Sequence, residues 1–477
     1  MRKILYLALP VLLLAACTKD ISRFNTDTKK PIAVPGSMLF SNATRNMANS
    51  LISASVNVDV FRFTINHWAM ATYQDEAQYN FTTRAIPQTW WTGFYRDVLK
   101  DLADGATFIN ADAFLDPGIK QNQLAIIDIT QVFAYNVLVN TFGDIPYTAA
   151  LDPNNLSPVY DDAKTVYTDL LKRLTDDISK LKTTSKGFAA ADDIIYGGSV
   201  ASWIKFANTL KFKMGMMLAD VDNPTAKALV ESAEPNAFAS STDNALFKYL
   251  SNSPNQSPLY TDIVLGGRSD YVAAKDLMVP LISLSDPRKS LYFSPNDAGA
   301  YVGGIVGASN TYADNSRPSS IVYAATGAYV YLDYAETEFL RAEAIERGYN
   351  VAGTAEQHYN NAITASIVYW GGTPAQAATY LGQTGVAYTT APAAGGWRQK
   401  IGFQKWIALY NRPMEGWTEI RRLDYPKLTP VVNAVSGFPN RFPYPANEQQ
   451  LNGGNYTSAA AKMGGDKVEF KLFWDKN

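Results

Sequence analysis

Cysteine occurs once in this 477-residue chain, at Cys17, and histidine twice, at His67 and His358. No intramolecular disulfide can form, so an exported body of this size must take its stability from burial. The isolated histidines make no zinc spacing, and neither an EF-hand pattern nor a phosphate-cradling glycine loop is present. No metal site and no cofactor is expected, although scattered Asp and Asn oxygens leave a calcium site open. Charge of one sign is also missing: 42 Lys and Arg stand against 44 Asp and Glu with no basic block, which argues against a nucleic-acid partner. Beyond the first residues, no run reads as long and apolar enough to span a bilayer.

What is present starts at the N-terminus. Arg2 and Lys3 precede an apolar run from Ile4 to Leu14, about half of the ~20 residues a spanning helix needs, and small residues follow. These are the parts of a secretory signal. Leu14-Ala15-Ala16-Cys17 resembles the bacterial lipobox, in which the cysteine is lipidated before cleavage and then becomes the first residue. One acyl chain binds a membrane marginally, whereas several hold essentially irreversibly. The expected organisation is a lipoprotein signal peptide over 1–16, a lipidated polar tether over 17–36, and one domain over 37–477. Thr18 and Lys19 follow the cysteine without an inner-membrane retention aspartate, so the outer membrane is the expected address.

The body reads as mainly α. Apolar residues recur at helical spacing from Gln123 to Phe142, with Gly143 where a left-handed C-cap belongs. Ser199 to Leu218 repeats the pattern with Ser199 as N-cap, and Leu332–Gly348 with Ala355–Gly371 reads as a helical hairpin. Small residues such as Ala342, Ala344, Ala362 and Ala365 allow close helix approach, as in tetratricopeptide hairpins, though no clean 34-residue period emerges. Loops over Tyr301–Tyr312 and Val386–Trp397, and a strand-like alternation over Val468–Phe473, interrupt the helices. Such insertions are where a rigid scaffold carries its binding surface.

Several segments, taken in order, resemble the SusD/RagB family of outer-membrane nutrient-binding lipoproteins. They are Phe142-Gly143-Asp144-Ile145-Pro146-Tyr147, Tyr196-Gly197-Gly198-Ser199 running into Trp203–Lys211, and Asp286-Pro287-Arg288. Tyr334-Ala335-Glu336 with Phe339–Ala344, Glu415-Gly416-Trp417 with Arg421-Arg422, and Arg441-Phe442-Pro443-Tyr444-Pro445 with Glu448 and Asn452 complete the series. The resemblance implies a SusD-like fold of four tetratricopeptide-like hairpins with loop and short β-hairpin insertions. It also implies a surface lipoprotein, not an enzyme, that captures an oligosaccharide or peptide as the lid and partner of a TonB-dependent outer-membrane β-barrel (SusC-like).

Two partial catalytic patterns are also present. Asp192–Ala201 with His358 has the chain order of a nucleophile elbow but lacks its last glycine, and Ser202-Trp203-Ile204-Lys205 matches Ser-x-x-Lys without its companion motifs. A pair of carboxylates could serve a glycosidase, yet no spacing singles one out. The alternative function is therefore a membrane-anchored hydrolase or a peptide-binding adhesin on a helical scaffold. For ligand contact, sugar faces pack on exposed aromatics, which points to Trp68, Tyr73, Gln74, Asp75, Tyr79 and Asn80, with Tyr388 and Trp397 as a second patch. Trp90, Trp91, Phe94 and Tyr95, like Trp203, Trp406 and Trp417, read as core.

Overall fold

The computed structural model describes residues 34–55 and 57–476; the signal peptide, Cys17 and most of the tether lie outside the described residues. The principal helices are α1 (Gly36–Ile52), α2 (Lys100–Ala111), α3 (Pro117–Phe142), α4 (Ala163–Lys180), α5 (Val200–Met217), α6 (Asn223–Ala233), α7 (Lys275–Ser283), α8 (Tyr334–Glu346), α9 (Ala355–Tyr369), α10 (Gly396–Ala408) and α11 (Pro413–Leu423). Consecutive helices pack as the hairpins α3–α4, α5–α6, α8–α9 and α10–α11. These are the expected tetratricopeptide-like pairs. Short strands make three two-stranded antiparallel sheets, β1 (Trp68–Met70) with β3 (Tyr271–Ala273), β2 (Ala245–Phe247) with β6 (Tyr329–Leu332), and β4 (Phe293–Ser294) with β5 (Arg317–Pro318).

Local chemistry explains the helix ends. Asp116 caps α3 by accepting from the amides of Gly118 and Ile119, so this helix starts six residues earlier than its apolar pattern suggests. It ends at Gly143, whose φ of 86° and ψ of −119° form a backbone conformation that side-chain-bearing residues avoid. Ser199 accepts from the Ser202 amide as the N-cap of α5. Thr354 and Asp333 cap α9 and α8 in the same way.

Two expectations change. Val468–Phe473 forms no strand; its Val468 carbonyl instead accepts from the amides of Asn440 and Arg441. Helix α3 is long and apolar enough to cross a membrane by length and composition, contrary to the sequence reading, but 83% of that window is buried inside the protein. It is the central core helix. The tryptophans read as core are core: Trp90, Trp203, Trp406 and Trp417 are all at most 2% exposed. Phe61 stacks between Trp417 at 4.7 Å and Phe442 at 5.0 Å, which joins the N-terminal segment to the last hairpin and the C-terminal loops.

Several of the segments that carry the resemblance form buried polar joints. Lys213 of α5 pairs with Glu336 of α8 at 3.0 Å and with Glu415 of α11, and Arg412 reaches the other Glu336 oxygen at 2.6 Å. Arg422 grips both oxygens of Glu343, at 2.5 and 2.6 Å, and also Glu419 at 2.6 Å. Burial works to raise the Glu343 carboxyl, but the guanidiniums of Arg422 and Arg347 overcome it and hold it at about 2. Asp286 with Arg288 and Arg441 with Asp466 make similar buried pairs, while Glu448 accepts from the Tyr160 hydroxyl and Asn452 donates to the Pro158 carbonyl. Arg288, held by its neighbour Asp286, also reaches Ser366 and Gln404, so these contacts join segments far apart in the chain.

Candidate functional site

The β1–β3 ladder places two loops side by side. Its register, Met70 opposite Tyr271, is extended by the Ala71 amide donating to the Asp270 carbonyl at 2.7 Å, so the Thr72–Asn80 loop leaves the sheet beside Arg268. Tyr73 adopts φ 59° there and is 53% exposed. The guanidiniums of Arg84 and Arg268 lie 5.3 and 6.0 Å from its ring centroid, each held by a carboxylate: Arg84 by Glu76 and Arg268 by Asp270, both at 2.8 Å. A cleft of about 270 Å³ opens next to it, lined among others by Ile263, Arg268, Tyr271, Tyr312, Arg317 and Tyr323. Arg317 lies 5.0 Å from the Tyr312 ring centroid and pairs with Asp297 at 2.6 Å. The site therefore combines tyrosine faces with guanidinium N–H groups whose positions are fixed by ion pairs.

Such a surface suits a polyhydroxylated ligand, whose C–H faces pack on rings while its hydroxyls find charged donors and acceptors. A larger cleft, about 660 Å³, is bordered by Gly304, Ile305 and Val306 and is lined mainly by apolar side chains such as Val279, Phe403, Leu428 and Val432. Its polar groups are largely engaged: Asp276 accepts from the Asn66 amide nitrogen and the Thr429 backbone, each at 2.8 Å, and Lys427 pairs with Asp424. Sugar hydroxyls would lose water there without replacement.

Of the residues singled out from sequence, Tyr73 alone presents a ring to this site. Trp68 is 1% exposed, its indole N–H donating to the Tyr410 hydroxyl at 2.9 Å, and Tyr79 is 7% exposed and edge-on to Phe438. Both are core residues because β1 and the turn after it are roofed by C-terminal segments. Gln74 donates to the Ala71 carbonyl, Asp75 precedes the short helical turn Glu76–Gln78, and Asn80 accepts from the amides of Thr82 and Thr83. These shape the loop. Tyr388 and Trp397 lie apart, packed on the smaller core cluster around Phe339 and Tyr359. Two guanidiniums, of Arg347 and Arg398, lie 5.0 and 4.7 Å from the Trp397 ring, and the Tyr388 hydroxyl donates to Glu346. The residues not foreseen are Arg268, Arg317, Tyr312 and Tyr323; the Gly-rich loop ending at Tyr312 was the available signal.

Neither catalytic pattern assembles. Both ring nitrogens of His358 are engaged, with Glu338 at 2.8 Å and the Ala352 carbonyl at 2.7 Å, while Lys205 pairs with Asp243 at 2.7 Å. Ser199 and Ser202 bond to each other within the helix cap. Among the described residues no group of three or more His, Cys, Asp or Glu is placed to hold a metal ion.

Known proteins supply the family. No curated protein matches the chain. Among solved structures, a SusD homolog from Bacteroides uniformis superposes with a TM-score of 0.79 at 25% identity, over 92% of this chain and 99% of that one. One from Bacteroides ovatus gives 0.75 at 25% identity over 93% and 99%, and a chitin-binding SusD homolog from Flavobacterium johnsoniae shares the fold at 0.77 and 24% identity over 92% and 99%. The family of SusD-like proteins, described as starch-binding and associating with the outer membrane, matches residues 28–445. With most of its length matched and the helical-hairpin body in place, the chain belongs to the SusD-like family.

Proposed function

We propose that this protein is a lipid-anchored receptor on the cell surface that binds an oligosaccharide in the cleft between Tyr73 and Tyr312 and serves as lid to a TonB-dependent β-barrel. The observation that supports it most is the pairing of tyrosine faces, the exposed Tyr73 beside the cleft and the half-buried Tyr312 within it, with the ion-paired guanidiniums of Arg268 and Arg317. Binding, not turnover, is the expected activity, in keeping with the starch-binding description of the SusD-like family. A peptide is the second ligand class, distinguished by experiment.

Isothermal calorimetry of neutral oligosaccharides against peptides tests the ligand: saturable heat with a glycan and no released product supports the reading, and heat with peptides alone replaces it. Affinity purification from detergent tests the partner, since a large β-barrel should co-purify. Mass spectrometry of Cys17 tests the anchor.

A further inference from the structure

We infer that the end of the body formed by the α2–α3 turn is a membrane-contact face, with Phe114 seated among the lipids of the outer leaflet. The inference rests on the anchoring proposed above and adds which face meets the bilayer. Phe114 is 99% exposed, and Phe108, in the last turn of α2, is 48% exposed. A solvated phenyl ring on a capped turn is held outward rather than left loose: the Asp112 carboxylate accepts from the Phe114 amide at 2.8 Å, and Asp116 caps the helix that follows.

The place where the chain enters the body supplies the occupant. A Cβ on Gly36 would fall 2.5 Å from the Gly105 carbonyl oxygen and 2.8 Å from Ile109, so the start of α1 is pressed against the last turns of α2, one turn from Phe108. The described chain begins at residue 34, only seventeen positions after Cys17, the proposed anchor, and within the polar tether read over 17–36. The tether therefore joins the body beside the exposed rings. Basic side chains gather at the same end. Lys120 donates to the Asn110 carbonyl, Gln121 donates to the Lys180 carbonyl, and Asn122 donates to the carbonyls of Lys182 and Lys186, which brings four lysines around the turn. Lys180, Lys182 and Lys186 are exposed. Lys180 pairs with Asp177 at 2.8 Å and Lys182 donates to the Ser179 carbonyl, while Asp112 and Asp116 accept from backbone amides, so acidic and basic groups share this end and the exposed rings carry the contact.

The opposite end of α1 carries the ligand site. Seventeen residues make this helix about 25 Å long, and just past its C-terminus the Tyr271 hydroxyl of the cleft donates to the Ala54 carbonyl at 2.6 Å. One rigid helix thus separates the lipid-contacting end from the binding cleft.

The test uses the full acylated protein in vesicles of phosphatidylcholine and phosphatidylglycerol. With Cys17 acylated, Phe114→Cys provides one free thiol for a polarity-sensitive fluorophore, and Thr379→Cys, at an exposed position on another helix, provides the control. The expected result is a blue-shifted emission at 114 that nitroxides on the lipid acyl chains quench, with neither effect at 379. A water-like emission at 114 while the protein floats with the vesicles overturns the inference and leaves the anchor standing. Protection at 114 that appears only when a β-barrel is co-reconstituted assigns the face to a protein partner and overturns it too. An unmodified Cys17 with no flotation instead removes the anchoring reading, and the inference falls with it.

Discussion

Two regions of this molecule use the same side chains for opposite ends. Between the hairpins, Lys213, Glu336, Arg412, Glu343 and Arg422 are nearly out of reach of water and are held in ion pairs. In the cleft, Arg268 and Arg317 are also paired with carboxylates, but a quarter of each side chain remains open and tyrosine rings stand beside them. Burial converts the first set into joints whose cost of disruption is high, because a stranded charge cannot be rehydrated. Partial exposure leaves the second set able to exchange water for a ligand.

The sharpest break of that contrast is Glu343→Ala. Removing the carboxylate leaves Arg422 in the core with Glu419 as its remaining carboxylate partner and takes Glu343 from Arg347 as well, which should cost about 3–5 kcal/mol in urea unfolding, with ligand affinity unchanged while the protein stays folded. The same pair predicts an acid limb. Glu343 is held at about 2 against an ordinary 4.5, so its contribution is complete above 4.5 and is lost as the pH falls toward 2; Glu343→Gln should flatten that part of the stability profile. Arg268→Ala tests the other region. It should weaken glycan binding by roughly tenfold to a hundredfold, the worth of a charged hydrogen bond, while the unfolding midpoint hardly moves. Tyr73→Ala removes one ring face and should cost about 1 kcal/mol, near fivefold in affinity by calorimetry. Trp397→Ala, on the separate patch, should leave affinity within error; a clear loss there would shift the site to the α8–α10 surface.

Much of the scaffold was legible beforehand because helices announce themselves locally. The apolar spacing ending at Gly143, the Ser199 cap and the 332–371 hairpin all depend on residues within a few turns of each other. The site was legible only in part. Tyr73 was foreseen in a polar loop, but Trp68 and Tyr79 in the same stretch are covered by residues more than three hundred positions later, Tyr410 and Phe438. Arg268 gave no sign, since its meaning comes from a ring nearly two hundred residues away.

The order of residues alone settles that this chain folds into capped helical hairpins of a known family, since propensity, capping and periodicity act over short distances. Which aromatic rings meet solvent, and which arginines bind inward rather than outward, was decided when distant segments closed over one another. Exposure is a property of packing.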